Sequence, residues 1–115
     1  TLPCLFAGKM HALLCRAWGT RVKGRDWYDL VWYVGHGHPV SLNHLEKRMR
    51  QTGHLKKTES LTQEKLKQRL LARIEIVDFH NAKKDVEHLL KDPSPLKLWS
   101  AEYFRVICEK MVTIP

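Results

Sequence analysis

The sequence predicts an all-α protein, an irregular bundle of about six helices, and three features carry that expectation. Apolar residues recur at three- and four-residue steps through most of the chain, which is the period of one helix face and not of a strand. Residues suited to helix caps, Ser41, Thr62 and Ser100, stand directly before such stretches. Turn-forming clusters separate them, at Gly35-His36-Gly37-His38-Pro39 and at Lys91-Asp92-Pro93-Ser94-Pro95. No segment reads convincingly as a strand; the β-branched bias of Ile74 to Val77 sits inside a helical period.

The first helix is expected over Phe6 to Trp18, with Phe6, Met10, Leu13, Leu14 and Ala17 inward and Gly19 as its stop. Lys9, Ala12 and Arg16 share another face, where the small Ala12 lets both cations reach one anion. A basic connector, Arg21 to Arg25, leads into a second helix from about Asp26 to Val34. Trp27, Tyr28, Leu30, Val31, Trp32, Tyr33 and Val34 make that helix apolar on nearly every side, so it is expected inside the bundle. Ser41 caps a third helix with Leu42, Leu45 and Met49 inward, ending at Gly53. His54 to Ser60 reads as an exposed loop. Thr62 caps a fourth helix, with Leu61 and Leu66 as a hydrophobic staple and Leu66, Leu70, Ile74 and Val77 inward. Asp78 to His80 interrupt the pattern, and a shorter helix follows to about Leu90. Ser100 caps the last helix, where Tyr103, Phe104, Ile107, Cys108 and Met111 are the core candidates.

A chain of 115 residues that is 43% hydrophobic can build one core. It starts at Thr1 and runs at once into apolar sequence, so residues 1–115 read as a single helical domain, the C-terminal part of a longer protein. No run approaches the roughly eighteen apolar residues of a membrane span, and no signal-peptide pattern opens the chain. Cys4, Cys15 and Cys108 have no metal-type spacing and read as free thiols, with the cytoplasm as the default compartment. A formal net charge of +8 favours a polyanionic partner: nucleic acid, nucleotide phosphates or an acidic protein. A solvated basic face has the same composition.

Two groups of residues invite chemistry. Lys9, within an otherwise apolar helix, suits contact with a phosphate while its stem packs, and a snorkelling surface lysine has the same pattern. Asp26 and Asp29 lie three apart at the start of the second helix, beside Arg25. Helix capping accounts for them equally well, with Asp26 as the cap and Arg25 as ion-pair partner. Capping gives no reason for the surrounding Trp27, Tyr28, Trp32 and Tyr33, whereas a nucleotide site does. His36 and His38 lack a second ligand pair, so no metal ligands are expected. The stretch from Lys47 to Lys57, with Arg48, Arg50, His54 and Lys56, could follow a nucleic-acid backbone, but no aromatic residues interleave it. The sequence holds no phosphate-binding glycine loop and no serine elbow, which argues against a self-contained hydrolase or P-loop enzyme.

The segment Leu5-Phe6-Ala7-Gly8-Lys9-Met10-His11-Ala12-Leu13-Leu14-Cys15-Arg16, followed by Lys23-Gly24-Arg25-Asp26-Trp27-Tyr28-Asp29-Leu30, resembles the AbiEii/AbiGii nucleotidyltransferase family. Lys9 with Ala12 matches the family's lysine-alanine helix, and Arg25, Asp26 and Asp29 match its Arg-Asp-x-x-Asp motif. Ala82 to Val86 and Leu98 to Phe104 are similar to its C-terminal helices; the specific part is the first thirty residues or so. The resemblance implies the helical half of a toxin of type IV toxin–antitoxin or abortive-infection systems. It implies that Lys9 contacts the triphosphate of the NTP, where Arg16 on the same face is expected to join it, that Asp26 or Asp29 activates the acceptor hydroxyl, and that Arg25 holds that carboxylate. It further implies Mg²⁺, an RNA (tRNA) or protein acceptor and an antitoxin partner. The family's Gly-Ser and Asp-x-Asp motifs are not in this sequence, so these residues alone are expected to be inactive and to self-associate through apolar surface. The other reading is a non-catalytic basic module that binds nucleic acid or a protein. The two differ in whether Lys9 and the carboxylates converge on one cleft.

Overall fold

Hydroxyl side chains start four of the six α-helices in the computed structural model, which describes residues 1–16 and 23–115. Thr1, Ser41, Thr62 and Ser100 each accept a backbone N–H three residues on, and Asp78 does the same with its carboxylate. These caps open α1 (Leu2–Cys15), α3 (Leu42–Gln51), α4 (Gln63–Ile76), α6 (Ala101–Lys110) and α5 (Phe79–Glu87). Helix α2 (Gly24–Gly35) has no side-chain cap of its own. A short 3₁₀ turn at Ser94–Leu98 follows the two-proline segment.

Helix α1 begins at Leu2, earlier than the apolar period indicates, because Thr1 caps it and Pro3 is tolerated in the first turn. It ends at Cys15, where Arg16 turns extended; the expected continuation through Trp18 to Gly19 lies outside the described residues. Helix α2 likewise starts earlier, so Asp26 sits within its first turn and is not its cap. Asp78 to His80 prove to be a helix start, with Asp78 capping α5. The staple forms, with Leu61 and Leu66 both buried. Leu55 anchors the loop after α3, which is therefore not wholly exposed.

The core runs between α1 and its partners α2 and α3, between α2 and α5, and between α4 and α6. Its centre is aromatic. Trp27 meets Phe79 and Phe104 edge-on at 5.2 and 5.1 Å, and those two rings stack at 4.8 Å. Phe6 of α1 stacks on Tyr33 of α2 at 4.6 Å. Trp27 thus links α2 to α5 and α6, and Trp27→Ala is expected to cost about 3–5 kcal/mol in urea denaturation. A loss below about 1 kcal/mol would refute that central role.

Two expectations fail here. Helix α2 is not buried all round: Tyr28 and Trp32 are 39% and 41% exposed, since α1 and α5 cover its other sides. Trp32 instead carries the stacked ring of His36 at 4.4 Å, with His38 tilted over it at 5.4 Å. A small parallel pairing also exists, β1 (Val40–Ser41) with β2 (Thr113–Ile114), which ties the chain's last residues to the start of α3. Strands of two residues have no period to detect. The Ile74–Ile76 stretch is helical, with Val77 as the extended cap residue. All three cysteines are free. Burial pushes the Cys108 thiol up to about 11. No helix among the described residues is long and apolar enough to cross a membrane.

Candidate functional site

The N-terminus of α2 is held from a distance. The Gly24 N–H donates to Asp85 Oδ2 of α5 at 2.9 Å, so Asp85 performs the capping that Lys23 does not. Helices α2 and α5 cross closely there: a Cβ on Gly24 would lie 2.1 Å from the Ala82 carbonyl oxygen and 3.0 Å from Val86 Cγ1. Ala82, Asp85 and Val86 therefore form the seat of α2. With capping done by Asp85, Asp26 and Asp29 are available for other contacts.

Both carboxylates turn toward α1. Lys9 Nζ lies 3.1 Å from Asp29 Oδ2, and Arg16 Nε lies 3.3 Å from Asp26 Oδ2. Arg16 Nη2 also reaches Asp26 Oδ1, at 3.5 Å. The two ion pairs lie between the same two helices. They differ in setting: the Asp26 side chain is 9% exposed and that of Asp29 is 31% exposed. Asp26 Oδ2 is buried and, among the described residues, accepts no well-directed hydrogen bond. Burial raises the Asp26 pKa above the usual carboxylate value, Arg16 opposes that rise and Asp29 adds to it, with Lys9 and Lys23 as lesser opposing charges.

Lys9, Ala12, Arg16 and Asp26 line one groove of about 430 Å³ along α1, together with His44 and Arg48 of α3. Arg48 Nη1 comes within 3.5 Å of the position a Cβ on Gly8 would take, so Gly8 gives the guanidinium its place beside α1. Three cations against one lining carboxylate make the groove suited to an anion such as a phosphate chain. His44 and Arg48 enter this site unannounced by the sequence pattern. A cation on α3 facing the Lys9 side of α1 was the available signal, but it needed the α1–α3 packing to be read.

Arg25 is placed differently from expectation. It pairs with neither carboxylate among the described residues and lines a separate hollow of about 360 Å³ with Tyr28, Asp29, Val86, Leu89 and Leu90. On a helix, residue 25 projects about 100° from residue 26, and Arg16 already occupies the side of Asp26. Of the four aromatic residues expected around the carboxylates, only Tyr28 lines a hollow with one of them, Asp29; Trp27 and Tyr33 pack into the core while Trp32 stacks on His36. Two arginines of the Lys47–Lys57 stretch are engaged within the bundle. Arg48 turns into the groove, and Arg50 is engaged by Glu46 and by the Glu59 carbonyl.

These residues do not build a Mg²⁺ site. That ion asks for several oxygen ligands in octahedral array. Here each carboxylate already faces a cation, and the rest of the groove's charged lining is basic.

Neither a curated protein nor a solved structure matches the chain. A family model does, over residues 1–110, and its description is "Nucleotidyl transferase AbiEii toxin, Type IV TA system". That match spans α1, the paired carboxylates of α2 and the α5 seat beneath them, and the chain belongs to the AbiEii nucleotidyl transferase toxin family.

Proposed function

We propose that this chain is the helical side of a nucleotidyltransferase site, binding the triphosphate of an NTP and activating the acceptor hydroxyl. The observation that supports this most is the pairing of Lys9 with Asp29 and of Arg16 with Asp26 between α1 and α2. Such pairs are poised for exchange. A triphosphate that takes Lys9, Arg16 and Arg48 as its counter-charges leaves the two carboxylates without theirs. Asp26, its pKa already raised by burial, then becomes a stronger base. It accepts the proton of the acceptor hydroxyl as that oxygen bonds to the α-phosphorus and pyrophosphate departs. Asp29 positions Lys9. Arg25 takes no part in this reading, and its implied role of holding a carboxylate passes to Arg16.

The Asp-x-Asp half of such a site is not among these 115 residues, and the isolated chain is proposed to transfer nothing. The acceptor proposed is RNA, tRNA in the first place, given the charge of +8, and the regulatory partner is an antitoxin. The test is NTP-dependent labelling of RNA by the protein as its gene encodes it. Lys9→Ala and Arg16→Ala are each expected to raise KM for the NTP about ten- to a hundredfold. The double variant Asp26→Ala plus Asp29→Ala is expected to abolish labelling while circular dichroism stays helical. Wild-type labelling in the double variant overturns the proposal.

A further inference from the structure

Beside α1, three side chains distant in sequence come together. His11 and Cys15 are one turn apart on α1, and His54 follows the end of α3. Each offers one ligand atom, and these atoms all lie within 4.8 Å of one another. A tetrahedral metal holds nitrogen and sulfur ligands roughly 3.5 Å apart, so small side-chain rotations close the set. The grouping is built. Thr52 Oγ1 lies 3.1 Å from His11 Nε2 and 2.7 Å from His54 Nδ1, and the same hydroxyl donates to the main-chain carbonyls that end α3. Arg69 Nη1 donates to the His54 carbonyl at 2.9 Å, which pins the turn bearing the third ligand.

We propose that His11, Cys15 and His54 bind a zinc-type transition metal ion that ties α1 to the turn after α3. Two imidazoles and a thiolate are the borderline-soft donors such an ion selects. Among the described residues no carboxylate joins this group, so the donor set does not suit hard, oxygen-seeking cations. The Cys15 thiol gives up its proton on binding the ion. His36 and His38 do not compete, since both rings lie against Trp32.

The experiment is cobalt(II) titration of the whole protein, followed by absorbance, with zinc(II) as competitor. A thiolate-to-cobalt charge-transfer band that saturates at one equivalent and is displaced by zinc is the expected result. Cys15→Ser should lose the band, His54→Ala should weaken binding more than tenfold, and His36→Ala should leave it unchanged. His54 is exposed, so its removal does not threaten the fold, and circular dichroism checks each variant. Absence of the band, its persistence in Cys15→Ser, or its loss in His36→Ala overturns the proposal.

Discussion

Gly24→Ala is expected to lower the stability of the bundle by about 3 kcal/mol, a large share of what a domain of this size possesses. The added Cβ would meet the Ala82 carbonyl oxygen at 2.1 Å, and that atom belongs to the α5 backbone, which cannot rotate aside. Helices α2 and α5 must separate, and with them goes the hydrogen bond from Gly24 to Asp85. The urea midpoint should fall accordingly. Gly35→Ala, at the other end of the same helix, is the internal control. Nothing lies within 4 Å of its Cβ position, so it should be neutral or slightly stabilising. Equal losses in the two variants would mean that helix propensity, and not the close crossing, decides the outcome. Because the crossing seats the first turn of α2, Gly24→Ala should also displace Asp26 and Asp29 and lower RNA labelling.

Asp26→Asn should separate function from stability. As the proposed proton acceptor, Asp26 is expected to contribute about 10²–10⁴ to the labelling rate, and the amide cannot replace it. Stability should behave in the opposite sense. Folding raises the Asp26 pKa through burial, so the folded state binds this proton more tightly than the unfolded chain. The stability linked to that proton is present in full below the unfolded carboxylate value and is lost as pH rises through the folded one. The wild type should therefore gain on Asp26→Asn as pH falls from neutral into the ordinary carboxylate range. Denaturation midpoints of the two proteins across that range give the measurement. A wild-type advantage that shrank with falling pH would mean that Arg16 outweighs burial. A labelling rate unchanged by the substitution would remove Asp26 from the chemistry.

The helices were legible because their signals are local. Ser41, Thr62 and Ser100 bond to backbone groups three residues away, and that contact exists whatever the rest of the chain does. The miss at α2 is equally instructive. Its cap, Asp85, comes from another helix, so the local pattern pointed to Asp26 and started the helix too late. Reading Trp27, Tyr28, Trp32 and Tyr33 as one enclosure failed for a related reason. On a helix these residues point in different directions, and only the placement of α1, α5 and α6 decides which of them is buried.

By itself the sequence determined an all-helical bundle, its capping residues, most of its core and the residues through which it resembles its family. Periodicity, capping and motif spacing are near-neighbour properties, readable along the chain. The tertiary structure alone decided that Arg16 rather than Arg25 faces Asp26, and that Arg48 joins Lys9 at one groove. It also decided that His11, Cys15 and His54 meet, and that Gly24 cannot bear a side chain. Each of these depends on the distance and angle at which two helices cross. Side-chain packing over the whole core sets those quantities, and no stretch of sequence contains them.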